Sequence, residues 1–177
     1  MRGLFFTGTD TGVGKTAIMA AVARLLGAQG QPVHICKPVA TGADWVNGQW
    51  VSDDTRLLAE AEGNSSAWRE ISPWAFPDPV APPVAARHCG RTLSLAEIAN
   101  AVRRRSQPDI PVLVEGVGGL LCPLTDDATV ADLALELKLP LVVVTRRSLG
   151  TLNHTLLTLE AASSRGLGLL ARRCRRA

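Results

Sequence analysis

The sequence predicts an α/β domain of three layers, with a mainly parallel central sheet flanked by helices. Three observations lead there. Short apolar runs alternate with stretches of helical periodicity. Two of the runs, Pro111 to Glu115 and Leu139 to Val144, are continuous rather than alternating, as strands buried on both faces are. The first run feeds a glycine-rich turn that opens directly into a helical stretch. Parallel strands joined through helices cross over right-handed.

Leu4-Phe5-Phe6-Thr7 is the first strand, and after the Gly-rich turn Lys15 to Leu26 is the first helix, where Ile18, Ala21, Val22, Leu25 and Leu26 recur at helical spacing. Pro32 to Val39 is the second strand candidate, and Thr55 to Ala61 a short helix after an Asp-Asp pair. Between Ser72 and Pro83 stand Pro73, Pro77, Pro79, Pro82 and Pro83. They remove backbone donors, so a long ordered loop without a regular element is expected. Ser94-Leu95-Ala96-Glu97 has the spacing of a capping box and opens a helix to about Arg105. Helices at about Val130 to Leu137 and Thr151 to Ser164 separate or follow the last strands, with Leu167 to Ala171 a further candidate. Neither a repeat nor a linker interrupts the pattern, so residues 1–177 are read as one domain.

A chain of 177 residues, 46% hydrophobic and 20% charged, can bury roughly 70% of its unfolded surface without a disulfide or structural metal. Cys36, Cys89, Cys122 and Cys174 are far apart, with no CxxC pair and no His at zinc-ligand spacing. Reduced thiols and a cytoplasmic location are expected. The longest apolar run, Leu139 to Thr145, falls far short of the ~20 residues of a membrane span. The N-terminus lacks the layout of a signal peptide, so neither secretion nor membrane insertion is expected.

Of the formal net charge of +3, four units come from Arg172, Arg173, Arg175 and Arg176, and without them the balance is −1. A basic face across the domain, and with it a nucleic-acid partner, is not expected, and the arginine cluster reads as a solvated end. Only Lys15, Lys37 and Lys138 are lysines, against sixteen arginines, so each lysine invites a reason.

The strongest chemical signal is Gly8-Thr9-Asp10-Thr11-Gly12-Val13-Gly14-Lys15-Thr16. A strand feeding a glycine loop at a helix N-terminus aims several backbone N–H groups at one point, where the helix dipole adds positive potential. An anion belongs there: Lys15 can reach terminal phosphates and the Thr16 hydroxyl can bind Mg²⁺. Five residues separate Gly8 from Gly14, where the usual GxxxxGK[ST] pattern has four, so the loop is one residue longer than standard. A nucleoside triphosphate is the expected ligand.

Mg²⁺ at Thr16 needs further hard oxygen ligands from neighbouring strand ends. Glu115 closes Pro-Val-Leu-Val ahead of Gly116-Val117-Gly118-Gly119, which brings its carboxylate out at the carboxyl edge of a central strand. Asp53 and Asp54 precede a helix and either cap it or supply a ligand. Lys37 ends the second strand before Pro38-Val39-Ala40-Thr41-Gly42, the place for a charge clamp on a transferring phosphoryl group. Gly150-Thr151-Leu152-Asn153-His154 opens a helix whose free N–H groups hold a second anion or are simply capped, and His154 reads as structural.

TGTDTGVGKT, KPVATG, the DD pair, the Pro-rich loop, VEGVGG with PL a little further on, and LGTLNHTLLT resemble dethiobiotin synthetase, in that order and at that spacing. The match runs from about Leu4 to about Leu170, and the elongated phosphate loop is the form this family has. The resemblance implies a P-loop NTPase-type domain that makes a cyclic urea from 7,8-diaminononanoate, CO₂ (bicarbonate) and ATP by way of a phosphorylated carbamate. It implies that Gly8, Thr9, Asp10, Gly12, Val13, Gly14, Lys15, Thr16 and Gly118 cradle the nucleotide. Thr16, Asp54 and Glu115 would hold Mg²⁺. Lys37, Lys15 and Thr11 would be catalytic, with Thr11, Lys37 and Thr41 facing the diamine or carbamate.

The resemblance also implies a homodimer with a shared site, in which Leu149, Gly150, Thr151, Leu152 and Asn153 receive the substrate carboxylate from the partner's side. The family continues through a base-reading turn, whereas this sequence turns into Ala-Arg-Arg-Cys-Arg-Arg-Ala, so base recognition is expected to be missing or altered and other nucleoside triphosphates remain open. The alternative is a nucleotide- or metabolite-binding module without turnover.

Overall fold

The computed structural model describes residues 1–170. The arginine cluster, Cys174 and the end of the Leu167 to Ala171 candidate lie outside the described residues.

Four parallel strands form the central sheet in the order β2-β7-β1-β8: β1 (Gly3–Gly8), β2 (His34–Cys36), β7 (Val112–Glu115) and β8 (Leu141–Val144). Successive side chains of β1 show why the runs are apolar throughout. Phe5 packs with Ile98, Ala99 and Val102 of α5 (Leu95–Arg105), Val130, Leu133 and Ala134 of α6 (Val130–Leu137), and Ala162 of α7 (Thr151–Ser164). Phe6 points the other way, into Met19, Ala20 and Ala23 of α1 (Lys15–Ala28), Leu58 and Ala59 of α2 (Asp53–Glu62), and Ile71 of α3 (Trp68–Ile71). Each fully buried Phe contributes about 1.5–3 kcal/mol, so both faces of the sheet are held by hydrophobic burial. The three-layer, mainly parallel α/β reading holds.

Several local expectations need correction. On α1 the core-facing residues are Met19, Ala20 and Ala23, while Ile18 and Leu25 are exposed and only Val22 and Leu26 of the expected stripe pack partly inward. The second strand is not continuous. It breaks at Pro38, which has no N–H to give to a ladder; Lys37 N instead donates to Ile71 O, and β3 (Val39–Thr41) joins a separate parallel pair with β6 (Trp74–Phe76).

A hairpin that the sequence reading passed over follows, β4 (Asp44–Val46) and β5 (Gln49–Val51), turning at Asn47-Gly48 with positive φ at both residues. The proline-rich stretch is not free of regular structure: Pro73 and Pro77 flank β6, and Pro82 and Pro83 begin α4 (Pro82–His88), where a missing N–H costs nothing. At α5 the Ser94 side chain makes no cap hydrogen bond, so the expected capping box does not form. The box is instead at α6, where the Asp132 carboxylate accepts from both N–H and hydroxyl of Thr129. Beyond α7, Leu169 bridges in parallel to Leu141, extending the sheet past β8.

Candidate functional site

Three neighbouring strands deliver the site to one edge. β1 ends at Gly8, β2 ends one residue before Lys37, and β7 ends at Glu115. After Gly8 the chain loops over the sheet and enters α1 through Gly14, whose φ of 97° is a conformation that L side chains resist. The loop is fixed from several sides. Thr9 N donates to Val144 O, Thr11 N to Asp10 Oδ1 at 2.7 Å, and Lys15 Nζ to Asp10 O at 3.0 Å. Opposite, the turn after β7 comes close to this loop: a Cβ on Gly118, itself at φ +64°, would sit 3.6 Å from Thr11 Oγ1, and one on Gly119 3.5 Å from Gly8 O.

Beneath the loop lies a charge cluster in which Lys37 and Glu115 are buried and Asp54 is half-exposed. Glu115 Oε1 accepts from Thr16 Oγ1 at 2.9 Å and from Lys37 Nζ at 2.8 Å, and Lys37 also donates to Asp54 Oδ2. Burial works to lower the Lys37 pKa, but Glu115 and Asp54, with their hydrogen bonds, together raise it above the usual lysine value. Burial pushes the Asp54 carboxyl up, yet Lys37 and hydrogen bonds from Lys37 and Thr16 hold it below the ordinary range. Lys15 is lowered by burial, which outweighs nearby Glu115. The Asp54 competition between capping and ligation is resolved in part: Ser52 caps α2 through its hydroxyl, leaving the Asp54 carboxylate free for Lys37.

A cavity of about 340 Å³ opens over this cluster, a size within the range of small-ligand clefts. Of the residues singled out by sequence, Thr11, Gly12, Gly14, Lys15, Thr16, Lys37, Thr41, Asp54, Glu115 and Gly118 line it. Gly8, Thr9, Asp10 and Val13 shape the loop without lining the cavity, Val13 being buried. Leu149 to Asn153 do not line it either; Leu149 is fully exposed, and Gly150 caps α7 in a left-handed conformation.

The sequence reading missed Ala17, Leu57 and Val117, which supply apolar walls. Leu57 was within reach of inference, since it follows Asp54 by three residues on one helix and so shares its face. Arg146 was also missed; its guanidinium pairs with Asp10 Oδ2 at 2.6 Å, and nothing in its local sequence announces a partner so distant.

The donors present suit a hard divalent cation such as Mg²⁺. Glu115 Oε2 is buried without a hydrogen-bond partner, and the Thr16 hydroxyl and Asp54 carboxylate stand beside it. Among the described residues no group of three or more His, Cys, Asp or Glu could hold a metal. Phosphate and water would therefore complete the coordination, as is usual for Mg²⁺. No helix among the described residues is long and apolar enough to cross a membrane.

The AAA domain family matches residues 2–171. The chain is 48% identical over 167 residues to the ATP-dependent dethiobiotin synthetase BioD of Anaeromyxobacter dehalogenans strain 2CP-C, covering 94% of this chain and 73% of that protein. It is 40% identical to the protein of that name from Aromatoleum aromaticum, over 95% of this chain and 75% of the relative. To the one from Bacillus subtilis strain 168 it is 39% identical, over 94% and 71%. With two-fifths to one-half of its residues shared over nearly its whole length, the chain belongs to the dethiobiotin synthetase family.

Proposed function

We propose that this chain is an ATP-dependent dethiobiotin synthetase that closes a cyclic urea on 7,8-diaminononanoate. The observation that carries the reading is the position of Lys37: its ammonium is held between Asp54 and Glu115 and faces the cavity beside Lys15.

In the first step one amine nitrogen of the diamine adds to the carbon of CO₂ and loses a proton, giving a carbamate. A carbamate oxygen then attacks the γ-phosphorus, and the bond from that phosphorus to the ADP oxygen breaks. The second amine attacks the carbamoyl carbon, phosphate departs with its oxygen, and the last proton passes to solvent. Phosphoryl transfer asks for positioning and for positive charge on the equatorial oxygens, and Lys15 and Lys37 offer both. The raised pKa of Lys37 keeps that charge in place across the neutral range.

Thr11 and Thr41 line the same cavity and would orient the amine and carbamate, while Ala17, Leu57 and Val117 exclude water from the apolar wall. Thr16, Asp54 and Glu115 would hold Mg²⁺, which would supply positive charge to offset that of the triphosphate. The phosphate end of the nucleotide is gripped by the loop, a contact that any nucleoside triphosphate can make.

The working form is a homodimer. α7 supports this, because Leu152, Leu156 and Leu157 are exposed on it and Leu149 just before it, with only Ala162 of the helix fully buried. Leu149 to Asn153 then meet the substrate carboxylate from the partner's side, and the free N–H groups of the first turn of α7 suit that anion.

Phosphate release tests the reading, measured with ATP, CTP and GTP in turn, with and without the diamine and bicarbonate. Release that requires the diamine is the expected result. Its absence with every triphosphate would overturn the assignment.

A further inference from the structure

We propose that Arg146 is a positioning residue that ties the phosphate loop to the segment opening α7, so that the nucleotide in one site of the dimer and the substrate carboxylate in the partner's site are held in register. The inference rests on the function proposed above and concerns a residue outside the cavity lining.

Asp10 creates the need. It places a carboxylate in a loop built to receive a triphosphate, where like charge weakens binding. Three hydrogen bonds converge on this residue: Oδ1 accepts from Thr11 N at 2.7 Å, the main-chain O from Lys15 Nζ at 3.0 Å, and Oδ2 from Arg146 Nη2 at 2.6 Å. Arg146 therefore neutralises the one acidic side chain of the loop and fixes the carboxylate that orients Thr11.

The other end of the connection lies in the turn between β8 and α7. Thr145, next to Arg146, shares a 2.7 Å hydroxyl contact with Thr151 and accepts from Thr155 at 3.2 Å. A continuous path thus runs from Thr11 through Asp10, Arg146 and Thr145 to Thr151, joining the phosphate loop of one site to the segment that the same chain lends to the partner's site. Arg146 and Asp10 side chains are 45% and 55% exposed, so the pair adds little to stability. Its role is alignment.

The test compares Arg146→Ala, Arg146→Lys and the double variant Arg146→Ala with Asp10→Asn. Steady-state kinetics separate the KM for triphosphate, the KM for diamine and kcat, and a fluorescent ATP analogue reads nucleotide affinity without the diamine. An exposed pair of this kind corresponds to about three- to fivefold in affinity. Arg146→Ala is expected to weaken both ligands by that factor, with kcat within about twofold. Adding Asp10→Asn should restore analogue binding, because the uncompensated charge is gone, but not the diamine KM, because the tether is still cut. Arg146→Lys should return analogue binding to near the parent value.

Analogue affinity equal in the parent and Arg146→Ala overturns the proposal, as does an Arg146→Ala defect that Asp10→Asn leaves unchanged. A parent protein that binds the analogue but never releases phosphate with the diamine would sink the synthetase assignment alone, and the analogue arm would still judge Arg146.

Discussion

Lys37 Nζ lies 2.8 Å from Glu115 Oε1, with 7% of the lysine side chain and none of the glutamate side chain reached by solvent. Removing one member of such a pair leaves the other charged and buried. Lys37→Met is expected to cost about 3–5 kcal/mol in urea unfolding, and Lys37→Met with Glu115→Gln to recover most of that loss. Diamine-dependent turnover should fall at least ~100-fold in the single variant, measured by phosphate release. A single variant as stable as its parent would contradict the buried pair.

The leucines of α7 predict an association that can be broken. Leu156→Glu should convert a dimer into a folded monomer by light scattering, with circular dichroism unchanged, because Leu156 is already 65% exposed in one chain. Diamine-dependent activity should disappear with the dimer. A parent chain that is monomeric at micromolar concentration and fully active would exclude the shared site.

Thiol chemistry distinguishes the cysteines. Burial pushes the Cys36 thiol up to about 12, outweighing the opposite pull of Arg105, and its Sγ lies against Ile71 O. Cys89 is exposed. Iodoacetamide at pH 8 followed by peptide mapping should label Cys89 in the native protein and Cys36 only after unfolding, since the thiolate is the nucleophile. Rapid native labelling at Cys36 would argue against the packing of β2 on α3.

Acid sensitivity should appear at α6. Hydrogen bonds from the Thr129 hydroxyl and N–H hold the Asp132 carboxyl below its usual value. A carboxyl lowered in the folded state stabilises above its unfolded pKa of about 3.9, and that contribution fades as pH falls through the folded value. Asp132→Asn should therefore cost about 1 kcal/mol at pH 7, and the gap from the parent should close below about pH 4. A gap that stays constant with pH would remove the charge from the explanation.

Much of this was legible in the sequence, for reasons that can be stated residue by residue. The bounds of α6 and α7 were readable because each starts after a strong break and carries one apolar register or a glycine cap. The position of Lys37 and Glu115 at the carboxyl edge of the sheet was readable because Lys37 directly follows β2 and Glu115 ends β7, and parallel strands bring their carboxyl ends to one edge.

What escaped depended on long-range context. α1 is apolar on more than one side, so periodicity could not choose between Ile18 and Met19, and the sheet chose the smaller surface of Met19, Ala20 and Ala23. The prolines of residues 72–83 were read as breakers, although Pro82 and Pro83 occupy helix positions that need no donor. The Asn47-Gly48 turn signal was present, but the strands it joins are only three residues each, too short to show a clear alternation.

The adjacency of β2, β7 and β1 also limits how this sequence can change. Because side chains alternate from one sheet face to the other, a single residue inserted within Val112–Glu115 would swing Glu115 to the opposite face and separate it from both Thr16 and Lys37. Apolar residues in that strand are open to exchange among Val, Leu and Ile, but its length is not. The spacing between Val112 and Glu115 is thus as much a part of the chemistry as the carboxylate itself.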